Sequence, residues 1–481
     1  MKTTTAFLLP IGLSAISTTV DAATVLAHFM VQNSYAYSVS TWQEDMTSAQ
    51  QVGIDGFALN WIPPYCSSTD AHHNLAWQAD QIANAFTAAE QQDFKLTLSF
   101  DMSYGVGSNC PTGLAWNETY MSSIISNYTN SSAAYKWNNQ MLVTTYAGEK
   151  YGNAFFQYLK QTLSAQDIHI SIAPGFTSYA YAAQNEAAAG QANAFMSEFD
   201  ALDGFLNWQS WPLNKKLNNT GDIDVALQST LKAAGKTGPY IMTISPWQYK
   251  DLNDGNPEDS WVSYSDYLFP SRFESAVSTV HPDIIELQTW NDWGESHYLR
   301  DLPASFSSGP ASATLGTMQN YVNNQSHSAW RIIADYYINW YKSGSPPDIT
   351  QDQVVYWYRT HPKDATCNGG GSVRNAQLPA DAVFAWALVR NNATVTMSAG
   401  QNAFWQFNAN GTGPQMGMVP FPDDLGDGIL PEVSISNGGS SITGNASTYI
   451  TSDCDYMNFN PVVGLVGPGD KVGATNQKVL G

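Results

Sequence analysis

The first two-thirds of the chain repeats one pattern, a short apolar run followed by a helical segment, and this repetition constrains the fold more than any other feature. Eight units of this kind within about 300 residues are typical of a (β/α)8 TIM-type barrel. The predicted strands are Val25–Val31, Ile54–Trp61, Phe94–Asp101, Gln140–Tyr146, Ile168–Pro174, Asp203–Trp208, Tyr240–Pro246 and Ile284–Trp290. A doubly wound open sheet is the alternative, but no glycine-rich phosphate loop follows the first strand.

A change of pattern divides the chain. A predicted helix, Ser328–Tyr341, is followed by the breaker Ser343–Pro347, and short alternating runs rich in Gly, Asn, Ser and Thr come after it. Such runs predict an antiparallel β-sandwich. We therefore predict an α/β chain with a catalytic barrel over residues 23–345 and an accessory sandwich over residues 346–481.

Charge limits the possible ligands. The formal net charge is −21, which argues against nucleic acid and against an anionic membrane surface, because both are bound by clustered Lys and Arg. The 16 Trp and 25 Tyr residues exceed what core packing requires, and flat aromatic faces stack on sugar rings. A neutral polysaccharide fits this composition. We expect a monomer.

Several features predict secretion. Residues 1–22 resemble a secretory signal peptide, with Lys2 followed by an apolar stretch and a small-residue cleavage site. Four cysteines lack metal-binding spacing, and we prefer the disulfides Cys66–Cys110 and Cys367–Cys454, which stay within one predicted domain each. Eight N-glycosylation sequons agree with a secreted, possibly wall-associated protein: Asn117, Asn127, Asn130, Asn218, Asn324, Asn392, Asn410 and Asn445.

The carboxyl ends of the predicted strands carry polar and aromatic residues, and in a barrel these ends share the rim where active sites lie. Each residue also has a structural explanation: His28 as a core histidine, Asp101 as a turn former, Glu149 as a helix start, and each aromatic as packing. Taken together they predict substrate contacts from His28, Trp61, Asp101, Glu149, Trp208, Trp211, Trp247, Tyr249, Trp290, Asn291, Trp293 and His297.

Two carboxylates after the eighth strand are the candidate catalytic groups. Ser or Cys nucleophiles lack a G-x-S-x-G elbow or a free thiol, and no HExxH zinc motif occurs. Glycosidic hydrolysis needs one carboxylic acid and a second carboxylate. Asp292 and Glu295 meet this need, and flanking tryptophans would raise the pKa of one of them. Their spacing of three alone would suit an ordinary turn equally well.

The motifs around these residues resemble fungal α-1,3-glucanases (mutanases) of glycoside hydrolase family 71. The likeness rests on "VLAHFMVQN", "GIDGFALNW", "LSFDMS" and "ELQTWNDWGESHYL", and it extends over both predicted domains. It implies a barrel followed by a β-sandwich, and cofactor-free, inverting hydrolysis of α-1,3-glucan.

Carried over by motif, Asp292 and Glu295 become the catalytic pair, and Glu149 a substrate-binding acid. We favour Glu295 as general acid and Asp292 as general base, although the sequence does not reveal which carboxyl is more desolvated. Two other functions remain open: a catalytically silent glucan-binding wall protein on the same scaffold, and a hydrolase of another glycosidic linkage.

Overall fold

The computed structural model describes residues 23–64, 76–104, 115–179, 188–212, 214–252, 259–306, 315–369, 372–400, 403–446 and 448–469. The predicted signal segment and the predicted pair Cys66 and Cys110 lie outside these residues. Among the described residues, no helix has the length and apolar character needed to cross a membrane.

The larger part of the molecule alternates strands and helices. The strands are β1 (Thr24–Met30), β2 (Gly56–Trp61), β3 (Lys95–Asp101), β4 (Lys136–Trp137), β5 (Gln140–Tyr146), β6 (Ile170–Gly175), β7 (Phe205–Asn207), β8 (Tyr240–Ile244), β9 (Tyr249–Asp251), β10 (Ser260–Val262) and β11 (Ile284–Leu287). The helices are α1 (Val39–Gln50), α2 (Trp77–Gln92), α3 (Glu118–Tyr128), α4 (Asn153–Ser164), α5 (Ala188–Glu198), α6 (Asp222–Ala233), α7 (Leu268–Ser275), α8 (Gln319–Val322) and α9 (Trp330–Ser343).

Shorter turns complete this part. There are 3-10 turns at Val31–Ser34, Glu149–Tyr151, Ala304–Phe306 and Gly316–Met318, and a π-helical turn at Ala276–Val280 extends α7. Strands β9 and β10 form a separate antiparallel hairpin, which the sequence pattern did not predict.

Eight strands form one curled parallel sheet in the order β6-β5-β3-β2-β1-β11-β8-β7, with β4 added antiparallel to β5. Each of the eight predicted strands overlaps one of these strands. Just before β7, the N–H groups of Asp203 and Gly204 both donate to the carbonyl of Ile172 on β6, at 3.0 Å. The segment that leads into β7 is therefore hydrogen-bonded to β6.

Alternate side chains of the parallel strands point to opposite faces of the sheet, so the apolar residues form one cluster outside the sheet and another inside it. On β1, Val25, Ala27 and Phe29 pack in the large cluster that includes the helices, whereas Leu26 packs inside the curled sheet. The inner apolar cluster also contains Leu142, Ala173, Leu206, Ile241 and Ile284. His28 lies two positions beyond Leu26 on the same face. The inside of the sheet is thus apolar at one level and polar nearer the carboxyl ends.

The C-terminal part consists of antiparallel sheets. Its strands are β12 (Gln353–Tyr358), β13 (Ala382–Leu388), β14 (Ala393–Ala399), β15 (Ala403–Ala409), β16 (Gln415–Pro420), β17 (Pro431–Asn437), β18 (Ser440–Asn445) and β19 (Val462–Val466). They form two four-stranded sheets, ordered β16-β13-β12-β19 and β15-β14-β17-β18. Both sheets contribute to one apolar cluster, which includes Val354, Val383, Val395 and Ile435. The predicted disulfide Cys367–Cys454 is present.

The two parts share packing. Helix α9, predicted at Ser328–Tyr341, carries Tyr337, whose ring lies 6.1 Å from that of Trp386 on β13. The indole N–H of Trp247, near the end of β8, donates to the carbonyl of Phe459 at 3.0 Å. The antiparallel sheets therefore support the side of the parallel sheet on which the strand ends emerge.

Candidate active site

A cavity of about 420 Å³ opens at the carboxyl ends of the parallel strands. Its lining includes His28 on β1, Asp101 on β3, Trp208 after β7, and Asp292 and Glu295 after β11. Side chains that are distant in sequence meet here because parallel strands end at the same edge. Among the described residues, no group of three or more His, Cys, Asp or Glu side chains is placed to hold a metal ion.

The loop after β11 sets the two candidate carboxylates side by side. The N–H of Glu295 donates to Oδ1 of Asp292 at 3.1 Å, and the N–H of Asp292 donates to Oγ1 of Thr289 at 2.8 Å. Nε2 of His297 lies 3.7 Å from Oδ2 of Asp292 and 3.3 Å from Oε2 of Glu295. The sum of these two distances limits the separation of the two oxygens to about 7 Å, which suits a pair acting on one glycosidic bond.

Glu295 is held in its ionised form. Burial alone would raise its pKa, but a hydrogen bond with His297, the charge of Lys250 and a hydrogen bond from Gln248 outweigh burial and lower the pKa to about 2. Nζ of Lys250 lies 3.7 Å from Oε1, and Nε2 of Gln248 donates to Oε2 at 3.0 Å. These contacts give Glu295 the lower pKa of the two carboxyl groups, so it is the one that stays ionised.

Asp292 is shifted in the opposite direction. Burial raises its pKa, the nearby charge of His297 opposes that rise, and the negative charge of Glu295 adds to it. When one proton is bound to the pair in the absence of substrate, it is therefore on Asp292 and not on Glu295. This order is the reverse of the one favoured from the sequence, where Glu295 was the expected acid.

Five further predicted residues line the cavity: His28, Asp101, Trp208, Trp211 and His297. Burial raises the pKa of Asp101 to about 6, although hydrogen bonds from the hydroxyl and N–H of Ser103 oppose the rise. The rings of Trp208 and Tyr146 lie 4.6 Å apart at one side of the cavity. These residues give the cavity both polar and aromatic surfaces.

Five aromatic residues that were predicted to contact substrate lie away from the cavity surface. Trp61, Trp247, Tyr249, Trp290 and Trp293 are at most 3% exposed, and none of them lines the cavity. The three indole N–H groups of Trp247, Trp290 and Trp293 are used internally, by the carbonyl of Phe459, the carboxylate of Asp45 and the carbonyl of Arg300. These rings pack in the core behind the loop that follows β11 and do not form the cavity surface.

Two polar residues that were predicted to contact substrate, Asn291 and Glu149, make hydrogen bonds within the protein instead. Asn291 is fully buried, where its Oδ1 accepts from the N–H of Met30 at 2.7 Å and its Nδ2 donates to the same residue's carbonyl at 3.1 Å. Oε1 of Glu149 accepts from the N–H of Ser178 at 3.0 Å. Neither lines the cavity. Asn291 ties the loop after β11 to β1, and Glu149 accepts a hydrogen bond from the nearby backbone.

Three residues on or beside the β9–β10 hairpin line the cavity although they were not predicted as site residues: Gln248, Lys250 and Trp261. Nζ of Lys250 lies 3.9 Å from the centroid of the Trp261 ring. Residues 247 and 249 face the core while 248 and 250 face the cavity, as strand alternation requires. Applying that alternation beyond β8 would have identified the two polar residues.

Comparison with known proteins gives consistent matches. A family model described as Glycosyl hydrolase family 71 matches residues 21–475. A glucan endo-1,3-alpha-glucosidase of Schizosaccharomyces pombe is 29% identical, covering 92% of this chain and 94% of its own. A mutanase of Penicillium rubens is 29% identical over 97% and 94%. Among solved structures, a GH99 endo-alpha-mannosidase from a Bacteroides species has a TM-score of 0.43 and 10% identity, covering 66% of this chain and 98% of its own.

Proposed function

The chain belongs to glycosyl hydrolase family 71, and from this premise we propose that it hydrolyses the α-1,3-glucosidic bonds of α-1,3-glucan with Asp292 and Glu295 as its acid and base. Relatives named as a glucan endo-1,3-alpha-glucosidase and a mutanase, aligned over nearly the whole chain, support this substrate. The net charge of −21 suits a neutral polymer rather than a polyanion.

One observation carries the assignment of the pair. Asp292 and Glu295 stand on either side of His297 in the same cavity, and their pKa values are pushed in opposite directions. Acid–base assignments in hydrolases follow from such divergence, because the carboxyl with the raised pKa carries the proton and its partner stays ionised. This favours Asp292 as general acid and Glu295 as general base.

The chemistry then follows an inverting course. Asp292 donates its proton to the glycosidic oxygen of the departing glucan, and Glu295 removes a proton from the water that attacks the anomeric carbon. The product is a β-anomer from an α-linked substrate. Trp208 and Trp211 offer aromatic surfaces for sugar rings beside this pair.

The proposed architecture is a closed (β/α)8 barrel followed by a β-sandwich, divided at residue 345. The hydrogen bonds from Asp203 and Gly204 to Ile172 support closure, and the apolar cluster shared by the two four-stranded sheets supports the sandwich. We also propose a secreted, glycosylated monomer. In support, seven of the eight sequon asparagines have described side chains, and all seven are exposed.

The experiment compares release of reducing ends from insoluble α-1,3-glucan by wild type, Asp292→Asn and Glu295→Gln. We expect a loss of about 10²-fold or more in each variant, with unchanged circular dichroism. Equal rates in all three proteins would contradict the pair. NMR of the first product should show the β-anomer.

A polysaccharide panel separates the alternatives. Binding of α-1,3-glucan without release of sugar would indicate a catalytically silent wall protein. Activity confined to a β-glucan or an α-mannan would indicate a hydrolase of another linkage.

A further inference from the structure

A further carboxylate, that of Glu286, lies inside the curled sheet below the cavity, and the proposed acid–base mechanism does not use it. Glu286 on β11 is fully buried, and its Oε1 lies 2.8 Å from Nδ1 of His28, which is also fully buried. In the register of the parallel pair β1–β11, Glu286 is aligned with Leu26. His28 is therefore one inward-facing position nearer to the cavity, which its ring lines.

Stability does not account for this pair. A buried charge or polar pair generally contributes less to stability than apolar residues of similar volume. Among the described residues, Oε2 of Glu286 and Nε2 of His28 have no hydrogen-bond partner, although both are buried. An apolar pair would fill this position without leaving those two atoms unsatisfied. The arrangement therefore points to a role in the site above it.

The contacts of His28 determine which nitrogen faces the cavity. Nδ1 is directed at Glu286, and the edge of the ring packs against Trp208, with centroids 4.9 Å apart. Nε2 remains as the nitrogen for a ligand, and the ring lines the same cavity as Asp101 and Asp292. His28 thus stands among the cavity carboxylates with one ring nitrogen already engaged from behind.

We propose that Glu286 is a positioning residue, which fixes the ring of His28 with Nδ1 protonated and so presents Nε2 to a hydroxyl of the bound sugar. A carboxylate only accepts hydrogen bonds, so its contact with Nδ1 requires the proton on that nitrogen. The unprotonated Nε2 then accepts from a hydroxyl, which is the donor that a neutral glucan supplies. That the hydroxyl belongs to a glucan rests on the proposed function; the orientation of His28 does not.

The tautomer is tested directly by ¹⁵N NMR of the full chain labelled at histidine, with His28 assigned by loss of its signals in His28→Phe. We expect a protonated Nδ1 in wild type and a shift of that resonance toward the unprotonated form in Glu286→Gln. Thr97→Val is the matched control, because it removes an unpaired, fully buried hydroxyl on the inner face of β3 and should leave the resonances of His28 unchanged. An unprotonated Nδ1 in wild type would overturn the proposal.

Activity supplies the second readout. Glu286→Gln should lower kcat/KM on α-1,3-glucan oligosaccharides by about 10- to 100-fold, the range found when a partner that orients a metal-bound histidine is removed. In a His28→Phe background the same substitution should change kcat/KM less than twofold, because both act through one ring. Equal losses in the two backgrounds would show that Glu286 acts independently of His28. If wild type itself released no sugar, the proposed function would fail. The NMR result would still test whether Glu286 keeps Nδ1 of His28 protonated.

Discussion

Nζ of Lys250 lies 3.7 Å from Oε1 of Glu295, and the same ammonium lies 3.9 Å from the centroid of the Trp261 ring. The side chain of Lys250 is only 12% exposed, so its charge is screened less than a surface charge would be. After burial and the hydrogen bond with His297, this charge is the next influence on the pKa of Glu295. The contact therefore helps to keep Glu295 ionised.

Replacing Lys250 with Met should move the acid limb of the activity profile to higher pH. Lys250 lowers the pKa of Glu295, so removing its charge raises that pKa and the ionised base forms only at higher pH. The measurement is kcat/KM against pH for wild type and Lys250→Met. Lys95→Met, which removes a lysine paired with Asp93 outside the cavity, is the control. Superimposed profiles for wild type and Lys250→Met would contradict the prediction.

Fluoride as a leaving group should separate the acid from the base. Fluoride departs without protonation, so a variant that lacks the general acid retains activity on an α-glucosyl fluoride of an α-1,3-linked oligosaccharide. With Asp292 as acid, Asp292→Asn should lose about 10²- to 10⁴-fold on glucan but far less on the fluoride. Glu295→Gln should lose both activities. The opposite pattern would restore the order that the sequence favoured.

Much of the architecture could be predicted from periodicity. The eight parallel strands follow from apolar runs of strand length, and the strand Gln140–Tyr146 has the predicted bounds. The position of Asp292 and Glu295 after the last of these strands placed them at the cavity. These features depend on local sequence, which is why pattern analysis found them.

The environment of each side chain could not be predicted in this way. Trp290 is buried because its indole N–H bonds to Asp45 on α1, 245 positions earlier in the chain. Glu286 was counted only as part of a strand, since its partner His28 lies on a different strand. The pKa directions of the catalytic pair depend on Lys250 and on burial. Contacts of this kind arise only when distant segments come together.

Substitution of Asp101 by Asn should stabilise the protein at neutral pH while weakening activity. Burial raises the pKa of Asp101 from 3.8 to about 6, so the folded state disfavours the ionised form. The free energy of unfolding should therefore fall as pH rises from about 4 to 6, by about 3 kcal/mol for this residue. Asn can still accept a hydrogen bond from Ser103 but carries no charge, so the fall in the free energy of unfolding with pH should disappear in Asp101→Asn.

Urea denaturation of both proteins at pH 4 and pH 7 measures this difference. An equal pH dependence of the free energy of unfolding in the two proteins would contradict the prediction.

Substitution of Asp45 by Asn should destabilise the protein through the catalytic loop. Oδ2 of Asp45 accepts from the indole of Trp290 at 3.0 Å and from the hydroxyl of Tyr37 at 2.9 Å, while Oδ1 lies 2.6 Å from Nε of Arg300. Removing one partner of a buried ion pair costs about 3 kcal/mol or more. Urea denaturation measures this loss. Asp93→Asn, at an exposed ion pair, is the control and should leave the denaturation midpoint unchanged.

Trp208 and Trp247 should respond differently to truncation, because Trp208 lines the cavity and Trp247 lies in the core. Trp208 is half-buried, lines the cavity and packs on Tyr146, so Trp208→Ala should raise KM several-fold through lost stacking, worth about 0.5–1.5 kcal/mol. Trp247 is 1% exposed and bonds to Phe459, so Trp247→Ala should lower the free energy of unfolding by about 3–5 kcal/mol and leave KM of the folded protein near the wild-type value. Steady-state kinetics and urea denaturation of both variants provide the comparison. A larger rise of KM in Trp247→Ala than in Trp208→Ala would mean that the sugar-binding surface lies elsewhere.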